Sequence, residues 1–66
     1  MIPSDRDIYA TALQWLRLHG ETAWFEAALK CDEQIARGDV KGERTWKRII
    51  AALDVVSGKV PDSTRH

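Results

Sequence analysis

The stretch "AALKCDEQIARG", residues 27–38, decides how this chain folds. At about 100° per residue, a helical wheel gathers Ala28, Ile35 and the preceding Phe25 on one face, with Asp32 in their midst. Glu26, Lys30, Glu33 and Arg37 fall on the other side, where Glu26–Lys30 and Glu33–Arg37 have favourable i,i+4 spacing. Gly38 supplies a stop, since glycine takes the left-handed conformation that ends helices. The pattern predicts an amphipathic helix from about Glu21 to Arg37. Its apolar side holds Trp24, Phe25, Ala28, Leu29, Ile35 and Ala36, with Cys31 at the margin.

Two further helices flank it. The first starts at "PSDRDIY", where Ser4 caps the free N–H groups and Asp5 and Asp7 suit the positive end of the helix dipole. It ends at Gly20 and sets Ile8, Tyr9, Ala12, Leu13, Trp15 and Leu16 on one side. The third is capped by Asp39, reaches Ser57 and stops at Gly58, with Trp46, Ile49, Ile50, Leu53 and Val56 along one face. Gly42 lies on that face, where a missing side chain lets a neighbouring helix approach. Short connections between helices predict antiparallel neighbours. The expected fold is therefore an all-α three-helix bundle with helices at about 5–19, 21–37 and 40–57. Residues 1–58 form its single domain, and 59–66, "KVPDSTRH", read as a loose tail.

Length and composition bound the rest. A chain of 66 residues has room for one domain, and one this small is marginally stable alone. Cys31 is the only cysteine, which fits a reducing, cytoplasmic setting and excludes an internal disulfide. Ten basic and ten acidic residues cancel, whereas a nucleic-acid module usually carries a basic excess. The charge is mildly split: residues 1–38 hold four Lys/Arg against six Asp/Glu, and 39–66 hold six against four. No apolar run is long enough to cross a membrane, and the start "MIPSDRD" does not read as a signal peptide.

On the apolar face Asp32 needs donors, because an unpaired buried carboxylate is costly. His19 near the end of helix one, Arg48 on helix three, the indole N–H of Trp15 or Trp46, or a helix N-terminus would supply them. Asp32 and His19 are accordingly expected as a structural polar lock between helices. Removing the carboxylate would then cost roughly 1–3 kcal/mol. An acid–base pair of the same two residues is the catalytic alternative, but three short helices leave little room for the cleft it requires. A metal site would have to draw acids from several helices around His19, and none is expected. Neither is a cofactor, since phosphate loops and nucleophile–base signatures are missing from the sequence.

What remains is the surface. Trp24 sits at the rim of its arc, and tryptophan is enriched at interface hot spots. Together with Ala27 and Cys31 it would make a small sticky strip. Lys41, Arg44 and Arg48 recur at i, i+3, i+7 and make a basic stripe for an acidic partner or phosphates. Trp24, Lys41, Arg44 and Arg48 are thus the expected contact residues of a protein-interaction module, acting on a protein partner or as a homodimer. The alternative is a small DNA-binding regulator that presents Lys41, Glu43, Arg44 and Lys47 from helix three, for which zero net charge is unfavourable.

The strings "DIYATA" at 7–12, "HGETA" at 19–23, "GDVKG" at 38–42 and "WKRII" at 46–50 resemble a group of short uncharacterised alphaproteobacterial proteins. Those proteins share the order HGE.A, A.GD..G, W.RI, and the likeness covers the first four-fifths or so of the chain. It implies a small helical cytoplasmic protein and brings no known activity. The "ARGD" turn at 36–39 also resembles a tetratricopeptide hairpin, which points to protein binding, although one hairpin and one helix are too few for a solenoid.

Overall fold

The computed structural model describes residues 4–58; the expected tail at 59–66 lies outside them. Helix α1 spans Asp5–His19, a single 3-10 turn covers Gly20–Thr22, α2 spans Ala23–Arg37 and α3 spans Val40–Val56. No strand occurs among the described residues.

The helix ends follow from local chemistry. Ser4 Oγ accepts the Asp7 N–H at 3.2 Å, and Asp5 and Asp7 occupy the first turn. Gly20 closes α1 at φ +60°, its N–H donating to the Leu16 carbonyl. Helix α2 begins at Ala23, two residues later than the pattern predicts, because the chain first tightens through the 3-10 turn. Two side chains tie that turn down: Thr22 Oγ1 donates to the His19 carbonyl at 2.9 Å, and Trp15 Nε1 donates to the Ala23 carbonyl at 2.9 Å. At the other end of α2, Gly38 sits at φ +74°. Its N–H donates to Ile35 at 3.0 Å and the Asp39 N–H to Gln34 at 2.8 Å, the paired bonds of a Schellman ending. Asp39 then turns capping residue, its carboxylate accepting the Gly42 N–H at 2.9 Å. The space left at Gly42 is taken by side chains, not by a neighbouring backbone. A Cβ there would lie 2.6 Å from Asp39 Oδ2 and 2.9 Å from Gln34 Oε1.

Helix α3 packs along both α1 and α2, which touch each other far less. The buried residues are Ile8 and Ala12 from α1, Ala23, Ala27 and Cys31 from α2, and Ile49, Ala52 and Leu53 from α3. Tyr9, Trp15, Leu16, Trp46, Ile50 and Val56 close around them. Four of these eight buried residues are alanines. At roughly 0.8 kcal/mol per buried CH₂, cohesion therefore rests on Ile8, Ile49, Leu53 and the half-buried rings. The faces expected of α1 and α3 are the ones used, except that Leu13 stays 43% exposed.

Helix α2 is turned differently. Its core face is the small-residue stripe Ala23–Ala27–Cys31, spaced at i, i+4, i+8. The six residues expected to form that face do not: Trp24, Phe25, Leu29, Ile35 and Ala36 are exposed and Ala28 is only half-buried. The physical reason is size matching, since small side chains on α2 admit the bulky Ile49 and Leu53 of α3 at close packing. The sticky strip of Trp24 with Ala27 and Cys31 is corrected by the same observation, because Ala27 and Cys31 are buried.

Candidate interaction surface

The outward arc of α2 is the largest departure of this molecule from the expected burial of apolar side chains. Going round the helix in order, it carries Trp24, Ile35, Ala28, Asp32, Phe25, Ala36 and Leu29, an arc about 140° wide at ~100° per residue. Trp24 is 44% exposed, Phe25 60%, Leu29 43% and Ile35 50%. Two of these are aromatic, with side chains of about 150–250 Å² each. With their aliphatic neighbours they leave apolar surface on the order of the 300–600 Å² that marks the largest patch of a typical monomer. Among the described residues, nothing covers it. Cys31 faces inward beside this arc, and its thiol donates weakly to the Glu43 carbonyl at 3.8 Å.

Asp32 lies near the centre of that arc. Its neighbours one turn away in either direction are Ala28, Leu29, Ile35 and Ala36, all apolar. The sequence thus places Asp32 on the right arc, but the arc faces solvent and Asp32 is exposed. Among the described residues no hydrogen bond or ion pair reaches its carboxylate. The expected polar lock of Asp32 and His19 is therefore absent. Its candidate donors are used elsewhere: the Trp15 indole is bound to Ala23, and Arg48 Nη2 donates to Asp5 Oδ1 at 2.6 Å. His19 instead packs its ring against Trp15, centroids 4.1 Å apart and planes tilted by 47°. Trp15 in turn meets the edge of Trp46 at 5.1 Å. Within this aromatic group the Nε2 of His19 is buried and meets no hydrogen-bond partner among the described residues.

The basic stripe is reshaped as well. Lys41 and Arg44 are exposed, whereas Arg48 is half-buried and held by Asp5 across the α1–α3 seam. Lys47 pairs with Glu43 at 2.8 Å, and this hydrogen bond and charge raise the Lys47 ammonium above the ordinary lysine value. On α2 the ion pair formed is Lys30–Glu33 at 3.8 Å, not the i,i+4 pairs expected. Nor do the four expected contact residues form one surface. Trp24 walls an apolar groove of about 340 Å³ shared with Leu16, Leu53 and Ser57, at the far end of α3 from Lys41 and Arg44. Between Arg44 and Ser57 the helix rises about 20 Å at ~1.5 Å per residue.

A second cleft, of about 430 Å³, lies between α1 and α3, with Asp5 and Arg48 among its walls. No group of three or more His, Cys, Asp or Glu side chains gathers to hold a metal ion among the described residues. No described helix is long and apolar enough to cross a membrane. Phe25, Leu29 and Ile35, with Trp24 and Ala36, are surface residues of α2 that the sequence pattern assigns to the apolar face. The signal that could have placed them outside is Asp32 itself, an unpartnered acid in an apolar arc. Comparison of the chain with protein-family models, curated proteins and solved structures finds no match.

Proposed function

We propose that this chain is a small protein-interaction module that works through the outward arc of α2. One observation carries the reading: the bulkiest apolar residues of α2 are exposed while its alanines and cysteine face the core. Exposed aromatics framed by polar flanks are the usual makings of an interface hot spot. A core this rich in alanine also gains from a partner, because anything that binds only the folded form stabilises it. The finer architecture belongs to the same proposal: α1, α2 and α3 pack as an antiparallel three-helix bundle, with α3 central and one flank of α2 left for the partner. A buried lone thiol suits a reducing cytoplasm as its setting.

The test is affinity purification with the full chain as bait, comparing wild type with Phe25→Gln and with Arg44→Glu. The proposal expects a partner kept by Arg44→Glu and lost by Phe25→Gln. A partner set unchanged by Phe25→Gln, with the variant folded by circular dichroism, contradicts it.

A further inference from the structure

Asp32 gives the outward arc of α2 a chemical preference. We propose that the arc binds an amphipathic helix of another protein carrying a lysine or arginine at the centre of its apolar face. Asp32 selects that cation and keeps two copies of this chain from pairing through the same arc. The inference rests on the surface proposed above and names its occupant.

Charge complementarity supplies the argument. Asp32 is the single charged residue of the arc. The other charges of α2, Glu26, Lys30, Glu33 and Arg37, lie on the opposite flank. Lys30 and Arg37 are at least about 140° round the helix from Asp32 at ~100° per residue. In a two-fold antiparallel pairing that stacks the arcs along the full length of α2, both Asp32 carboxylates are buried. Across from each would stand an apolar residue or the other carboxylate. A charge desolvated without a partner strongly disfavours the complex, so the arc discourages self-association by its own composition.

A partner bringing one cation to the same spot turns the liability into a selector. The carboxylate has no internal bond to give up, as no hydrogen bond or ion pair engages it among the described residues. Ringed by Ala28, Leu29, Ile35 and Ala36, it would meet an ammonium or guanidinium out of water, where a charge-assisted hydrogen bond is strongest. The arc is as long as α2, about 22 Å at ~1.5 Å per residue, which is enough for four turns of a second helix. Beside its Trp24 end, towards α1 and α3, the groove of about 340 Å³, with Glu21 on its wall, offers a place for a bulky apolar anchor from that helix. This is helix-in-groove recognition with an acidic register point.

The experiment selects helices from a displayed library whose apolar face is fixed and whose central position is randomised. The baits are the full wild-type chain and Asp32→Lys, both checked for native helicity. The proposal expects lysine or arginine at the central position on wild type and aspartate or glutamate on Asp32→Lys. The charge-matched helix should bind each bait about tenfold or more tightly than the mismatched one. In parallel, sedimentation should find wild type monomeric and Asp32→Leu dimeric. The same central residues on both baits, or no selected helix at all, overturn the proposal. So does a wild-type dimer that Phe25→Gln dissociates, since the occupant is then a second copy. Helices chosen without charge preference yet lost on Phe25→Gln remove Asp32 as selector while leaving the surface itself standing.

Discussion

Replacing Asp32 by alanine separates a buried fastener from an exposed charge, because the two give opposite signs. A carboxylate locked between helices would cost roughly 1–3 kcal/mol on removal, through the donor it orphans. In the structure Asp32 is exposed and bonded to nothing among the described residues, so no partner is orphaned. What changes instead is helix propensity, and alanine exceeds aspartate by about 0.5–0.7 kcal/mol inside a helix. Asp32→Ala should therefore stabilise by about 0.5 kcal/mol. At about 4–8 °C per kcal/mol for a domain of this size, the melting temperature rises by about 2–4 °C. The assay is a thermal melt followed by circular dichroism at 222 nm. A dilution series separates folding from any self-association that losing the charge promotes. A fall in stability of about 1 kcal/mol or more would refute the reasoning, since it would show that the carboxylate holds a native bond.

Other substitutions probe the core and the ties around it. Leu53→Ala removes the largest fully buried side chain. It should cost about 2–5 kcal/mol by urea unfolding, a large share of the roughly 3–10 kcal/mol that a chain of 66 residues has at about 0.05–0.15 kcal/mol per residue. Trp15→Phe keeps ring packing against Trp46 but loses the 2.9 Å bond to the Ala23 carbonyl. A loss of about 0.5–1.5 kcal/mol is expected in the same assay, and none at all would mean the bond carries no stability. Asp5→Ala breaks the 2.6 Å pair with Arg48 from the side of a carboxylate that is largely solvated. The effect should stay below about 1 kcal/mol and shrink as salt rises, so melts at low and high salt decide it.

Much of this fold is legible in the sequence because its local signals agree. Ser4, Gly20, Gly38 and Asp39 mark helix ends by their own chemistry, and the structure places each in that role. The core faces of α1 and α3 follow from periodicity, since each helix has one dominant apolar side. Helix α2 has two. Hydropathy favours the bulkier arc of Trp24, Phe25, Leu29 and Ile35, whereas packing against the broad side chains of α3 favours Ala23, Ala27 and Cys31. Within the residue pattern of α2 only Asp32 speaks against the bulkier arc, and the choice of the small-residue stripe depends on the shape of α3. The surface is hidden in the sequence for the same reason, since periodicity alone assigns its residues to the core. Arg48 illustrates a different limit: spacing places it on the stripe with Lys41 and Arg44, but its partner Asp5 lies on another helix. Sequence periodicity cannot register such a contact.

The central claim is that the bulky arc of α2 faces outward while its small-residue stripe makes the core. Unfolding of the triple variant Phe25→Gln, Leu29→Gln, Ile35→Gln in urea tests it most directly. A cooperative, helical protein is expected, with stability within about 0.5 kcal/mol of wild type per site. If those residues were core, each change would cost about 2–5 kcal/mol, and a triple variant unfolded in buffer would mean that the bulky arc of α2 is buried after all.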